Sequence, residues 1–230
     1  MRDLLSACLK LPPARKTVPG ALMEAIVAHV HDARVLDTYD FVDVVDERTK
    51  CGWQVKSTKS TTPVTWKRAK LPNAENLIHE SRDSESARQE LGREILQFCN
   101  EHAQRSMEQY GLVEIGYSRL IVDNDTLVYF ERPLCSQARP QVFDPMDFFW
   151  TWSEPKKTVT KEQLPALHGV HRHTKKRWWA WHGLGENQLH FTGEREWWPS
   201  AENGGFRMEM PKNDELISFR DLLPLLDSQL

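Results

Sequence analysis

The stretch Cys51-Gly-Trp-Gln-Val-Lys-Ser-Thr-Lys-Ser60 decides how the rest of the chain is read. Over residues 52–58, Trp53 and Val55 alternate with Gln54 and Lys56. That two-residue period predicts a strand with one apolar and one polar face. Upstream, residues 39–46 are rich in Val, Tyr and Phe and run into the polar turn Asp-Glu-Arg-Thr-Lys. Asp37, Asp40, Asp43 and Asp46 recur every three residues, a spacing that also suits a helix. The β-branched and aromatic content and the following turn favour a strand. An antiparallel hairpin turning between Arg48 and Thr49 sets Asp43 opposite Gln54 and Phe41 opposite Lys56. Cross-strand partners share a face, so Asp43, Gln54 and Lys56 converge. A one-residue slip would bring in Asp40 instead.

The trio has a chemistry. Asp43 offers an anionic oxygen and Gln54 a neutral carbonyl oxygen, ligands that suit Mg²⁺ better than zinc. Lys56 can hold an attacking water or stabilise charge on a phosphate in the transition state.

Working outward, residues 18–33 place Leu22, Met23, Ile26, Val27 and Val30 on one helical stripe, opened by Pro19 and Gly20 and flanked by Glu24. A long helix is expected from about residue 83 to Tyr110, burying Ala87, Leu91, Ile95, Phe98 and Cys99, with Gly111 as C-cap. Residues 112–133 read as a hairpin around Asp-Asn-Asp, and residues 177–194 as a second one turning at 183–187. A short helix is expected after Asp144, and a closing helix capped by Ser218 despite Pro224.

Composition narrows the class. The chain has 230 residues, 40% of them hydrophobic and 27% charged, and suits one large domain or a domain with an elaboration. A net charge of −3 argues against bulk basicity as a nucleic-acid signal, so only local charge can carry one. Cys8, Cys51, Cys99 and Cys135 show no CxxC spacing and are expected to be free thiols in a reducing cytoplasm. The apolar run before Cys8 is too short for a signal peptide, and no stretch reaches the length of a membrane span.

The helix with Glu24, then Asp43, then Gln54-Val55-Lys56, resembles the PD-(D/E)XK nuclease superfamily, which includes many type II restriction endonucleases. The resemblance covers roughly residues 18 to 110. It implies Mg²⁺ held by Asp43, Gln54 and the main-chain carbonyl of Val55, with Lys56 as the catalytic lysine and Glu24 assisting from the first helix. Val42 stands where the family has proline, and Gln54 replaces its acid, which removes one negative charge from the metal site. Each residue also has a plain alternative: Asp43, Gln54 and Lys56 as solvated strand residues, Glu24 on a wet helix face. The implied fold is α/β, restriction-endonuclease-like, with a mixed central sheet flanked by helices and a β-rich C-terminal elaboration. Residues 1–135 would form the catalytic core and 136–230 a DNA-recognition part.

From Arg48 to Lys70 the chain carries seven basic residues and no acid. Ser57, Lys59, Lys67, Arg68 and Lys70 are expected to meet DNA phosphates, as are His173, Lys175, Lys176 and Arg177. A solvated basic face is the alternative. Trp178, Trp179, Trp181, Trp197 and Trp198 could stack on bases, but alternating strand tryptophans usually belong to a core. His168, His171, His173, His182 and His190 raise zinc or HNH-like alternatives, which the absence of paired cysteines and the short Asn187–His190 spacing disfavour. The expectation is a cytoplasmic, bacterial, Mg²⁺-dependent endonuclease acting on double-stranded DNA as a homodimer beside a cognate methyltransferase. The rivals are a structure-specific repair, recombination or transposition nuclease and a non-catalytic DNA-binding module.

Overall fold

The computed structural model describes residues 1–14, 17–38, 40–157, 162–197 and 205–227; Tyr39 and Trp198 lie outside them. In chain order the elements begin with α1 (Arg2–Leu9), α2 (Gly20–His31), β1 (Arg34–Val35), β2 (Val44–Asp46), β3 (Cys51–Lys59) and β4 (Val64–Arg68). Then come α3 (Ala74–Asp83), α4 (Glu85–Tyr110), β5 (Glu114–Asp123), β6 (Thr126–Ser136) and β7 (Phe148–Trp152). The remainder are β8 (Lys156–Lys157), β9 (Glu162–Gln163), β10 (Leu167–His171), β11 (Arg177–Trp181), β12 (Gln188–Phe191), α5 (Glu194–Trp197), β13 (Phe206–Glu209) and α6 (Phe219–Asp227). Among the described residues no helix is long and apolar enough to cross a membrane.

The chain forms two compact units. One comprises Met1–Thr62, Gln109–Leu134 and Glu202–Leu230; the other comprises Pro63–Glu108 and Cys135–Ala201. The chain therefore passes between units at 62/63, 108/109, 134/135 and 201/202, and each unit is assembled from separated segments.

The first unit holds a mixed six-stranded sheet in the order β1-β2-β3-β5-β6-β13, flanked by helices. The hairpin register is the expected one: Val44 pairs Trp53, Val45 pairs Gly52 and Asp46 pairs Cys51. The turn is held by Asp46, whose carboxylate accepts from the N–H groups of Arg48 (2.8 Å) and Thr49 (3.1 Å) and from the Thr49 hydroxyl (2.5 Å). On its other side β3 runs parallel to β5 along its whole length. Trp53 and Val55 point into a core with Leu5, Leu9, Met23, Ile26 and Val27 from α1 and α2. Burying such side chains stabilises by about 1.5–3 kcal/mol each, which fixes α2 against the β3 face. Helix α2 ends where Asp32 adopts a left-handed φ of 51°.

The strand expected over 39–46 is shorter than its composition suggests. Only Val44–Asp46 joins the ladder. Thr38 donates to Asp40 at 2.5 Å and the Tyr110 hydroxyl donates to the same carboxylate, so side-chain bonds hold this segment outside the sheet. Such local bonds compete with strand pairing. Phe41 and Val42 are nonetheless buried.

The second unit holds an antiparallel five-stranded sheet in the order β4-β12-β11-β10-β7. One face carries the row Trp150, Gly169, Trp179, Phe191 and Val64. Trp66 and Phe143 pack edge-on against Trp179, at 5.7 and 4.9 Å between ring centroids. Alpha-helix α4 begins after Ser84, whose hydroxyl accepts from Ala87 N–H at 3.2 Å, and Gly111 follows its end with φ +63°. Leu91, Ile95 and Cys99 are buried as expected, but Ala87 and Phe98 are only partly so. Gly92 sits against the Trp150 ring, where a Cβ would come within 2.2 Å. The edge strand β7 is completed by a side chain: Gln89 donates to Trp150 O and accepts from Trp150 N–H, both at 2.8 Å. After Asp144 there is one 3₁₀ turn, Pro145–Asp147, before the aromatic run Phe148–Trp152 enters the sheet as a strand.

Candidate active site

Asp43 sits one residue before β2, where the ladder to β3 ends. Its N–H still donates to Trp53 O at 2.8 Å. The next donor on β3, Val55 N–H, finds no strand opposite and donates to Asp43 Oδ2 at 2.7 Å. Lys56 Nζ reaches the same oxygen at 3.4 Å. The two side chains are 20% and 24% exposed, enough shielding to strengthen the pair beyond a surface salt bridge while leaving it open to a ligand. A strand residue sends its N–H and C=O to the same side, so the Val55 carbonyl also opens toward Asp43.

Gln54 lies deeper. Its side chain is 1% exposed, its Nε2 donates to Phe41 O at 3.4 Å, and its buried Oε1 has no hydrogen-bond partner among the described residues. An orphaned buried acceptor costs about 1–3 kcal/mol and calls for an explanation. A cation or an ordered water would satisfy it.

Glu24 comes from α2 and is half-buried. Burial raises its carboxyl above the usual carboxylate range, the negative charge of Asp43 raises it further, and Lys56 partly offsets both. Two carboxylates within electrostatic reach of each other, with one ammonium between their demands, are short of positive charge. The donor set (two carboxylates, an amide oxygen and a main-chain oxygen) fits Mg²⁺, which prefers hard oxygen ligands and keeps several waters. Among the described residues no three His, Cys, Asp or Glu side chains converge as metal ligands, so a cation here would draw on the Gln54 and Val55 oxygens.

Asp40 stands apart from this group, engaged by Thr38 and Tyr110. Ser57 is also engaged: its hydroxyl donates to Val18 O at 2.7 Å and ties the segment leading into α2 to β3. Lys59, Arg68 and Lys70 are exposed, but Lys67 is only 6% exposed and lies near Cys99 within the second unit. That burial sets it apart from the exposed Lys59, Arg68 and Lys70. Strand β4 alternates Trp66 inward, but Lys67 is covered as well, a packing effect that residue type does not report. His173, Lys175, Lys176 and Arg177 are exposed around the β10–β11 hairpin. Lys176 pairs with Glu196 at 2.6 Å. Trp178, Trp179 and Trp181 are buried, so they serve the core and not base stacking. His171 stacks on Trp178 at 4.2 Å and accepts from Thr174 N–H, a turn-building role.

Arg119 is the residue the sequence reading missed. It is 2% exposed on β5, in register with Lys56. Its guanidinium donates to Leu120 O (2.6 Å), Thr58 Oγ1 (2.9 Å) and Lys56 O (3.5 Å). It thus braces the strand segment that carries Lys56. The signal was an arginine in the middle of the apolar run Tyr-Ser-Arg-Leu-Ile-Val. Comparison of the chain with protein-family models, curated proteins and solved structures found no match.

Proposed function

We propose that the protein is a Mg²⁺-dependent, sequence-specific endonuclease of double-stranded DNA, of the type II restriction class and with a restriction-endonuclease-like core. The observation that supports this best is the meeting of Asp43 with Lys56 at 3.4 Å, with a neighbouring buried Gln54 oxygen that has no hydrogen-bond partner among the described residues. Asp43, Gln54 and the Val55 carbonyl would hold the cation, and Glu24 would assist from α2. When bound, Mg²⁺ supplies charge neutralisation at the scissile phosphate and acidifies water. Lys56 orients the nucleophile or stabilises the developing phosphate charge, and Asp43 holds its ammonium in place. Arg119 keeps the β3 backbone fixed beneath it. The product ends would be a 5′-phosphate and a 3′-hydroxyl. Lys59, Arg68, Lys70, His173, Lys175 and Arg177 supply exposed groups for phosphate contact. A homodimer would suit a palindromic site, and a cognate methyltransferase would protect host DNA.

A non-catalytic DNA-binding module would use the same atoms differently. Asp43 Oδ2 already receives two donors, as a purely structural clasp would. A substrate panel separates these readings. Discrete plasmid fragments with Mg²⁺ support the proposal, cuts confined to nicked or branched DNA indicate a structure-specific nuclease, and retained binding without cleavage indicates the module.

A further inference from the structure

The second unit's sheet has a second face. Opposite the tryptophan row, the strands align Thr151, His168, Ala180, His190 and Thr65 in one line. Ala180, the smallest side chain of that row, lies between two histidines and leaves a depression. A cavity of about 180 Å³ opens there, lined by His168, Arg177, His182, His190 and Thr192 among others. His182 and His190 lie 4.8 Å apart by ring centroid, and Arg177 Nη1 approaches His168 Nε2 at 3.5 Å. Three imidazoles and a guanidinium thus line one small cavity, alongside apolar Pro63, Leu164 and Ala166. Among the described lining residues Glu154 is the one acid.

We propose that this cavity binds a phosphate group, held by Arg177 and by the imidazoles of His168, His182 and His190. A guanidinium is the preferred partner of tetrahedral oxyanions, and imidazoles reinforce it when protonated. A metal is the poorer occupant, because Arg177 repels a cation and, among the described residues, no three His, Cys, Asp or Glu side chains are placed to hold one. Burial holds His182 and His190 below the usual histidine range, and Arg177 lowers His182 further. That burial favours the neutral form of both rings near pH 7. The groups facing them are Arg177 on β11, His168 on β10, Glu154 after β7, and Glu186 in the β11–β12 turn, which alone among the causes of the His190 shift raises it. An anion reverses the balance, so binding takes up protons and tightens as pH falls, by up to about tenfold per pH unit for each proton taken up. The site shares Arg177 with the phosphate contacts proposed above, but its anion binding does not require the Asp43–Lys56 centre or Mg²⁺.

The test uses the full chain without divalent metal, with histidine side-chain NMR and inorganic sulfate as a probe whose charge is constant from pH 8 to 6. Sulfate should shift the His168, His182 and His190 resonances, raise their pKa values, and bind at least about tenfold more tightly at pH 6 than at pH 8. Arg177→Ala should abolish the effect, while His79→Ala, at an exposed position of α3, should not. Displacement of sulfate by an unphosphorylated DNA duplex assigns the site to backbone phosphodiesters; displacement only by mononucleotide or a 5′-phosphorylated duplex assigns it to terminal phosphate. Sulfate shifts confined to the 172–176 turn, or none in the wild-type protein, would overturn the proposal.

Discussion

In each unit a side chain completes the main chain of a strand where strand pairing stops, at the edge strand β7 in one and beyond the end of the β2–β3 ladder in the other, and the two completions differ. In the second unit, neutral Gln89 gives and accepts one hydrogen bond with Trp150, in a setting of buried aromatic rings. In the first, charged Asp43 accepts from Val55 N–H and also from Lys56, with both side chains about a quarter exposed or less. A neutral amide there satisfies the edge and has nothing left to offer. A carboxylate satisfies the unpaired N–H and keeps its negative charge on a side chain that is 24% exposed. The first arrangement serves stability and the second can serve chemistry, although the sequence marks them with equally ordinary polar residues.

The comparison can be broken most forcefully at Asp43 and Lys56. Asp43→Ala or Lys56→Ala should lower the rate of Mg²⁺-dependent DNA cleavage by about 100- to 1,000-fold or more, with folding retained, as plasmid assays and circular dichroism would show. Gln89→Ala should leave the rate per folded molecule unchanged. It should instead cost about 1–3 kcal/mol of stability by stranding the Trp150 main chain. Gly92→Ala, which drives a methyl group into the Trp150 ring, belongs to the same range and should lower the melting temperature by several degrees.

A subtler effect concerns Glu24. Its carboxyl is raised, so at mildly acid pH part of it is protonated and must release a proton when a cation binds. Ca²⁺ affinity, measured by calorimetry in two buffers of different ionisation heat, should rise with pH across that range. Glu24→Gln should flatten the slope. The smallest effect lies in acid stability. Hydrogen bonds from Thr49 lower Asp46. Burial pushes Glu131 up, but His31 and Tyr129 donate to it and leave it below the ordinary value. Groups with depressed folded pKa values contribute stability above the unfolded carboxylate pKa and lose it as pH falls through the folded one. The acid limb of the denaturation curve should therefore be shallower in Glu131→Gln.

Much of this was legible in the chain. Gln54 and Lys56 announced their strand by period, and the Asp46-to-Lys50 turn set the register that places Asp43 correctly. Gly111 ended α4 as its backbone freedom suggests. What could not be read was long-range. The parallel pairing that sets Arg119 behind Lys56 joins strands separated by the whole of β4, α3 and α4. The burial of Lys67 depends on packing within the second unit, and the histidine face depends on which strands become neighbours. The strand expected over 39–46 failed because Thr38 and Tyr110 bind Asp40, a contact that local propensity does not encode.

The central claim is that Asp43, Gln54 and Lys56 form one hydrolytic centre. Incubation of plasmid DNA with wild type and Lys56→Ala, in Mg²⁺ and in Ca²⁺, tests it most directly. The account predicts discrete fragments from the wild type in Mg²⁺ alone. Equal cleavage by the variant, or DNA binding by the wild type with no cleavage of any DNA form, would contradict it.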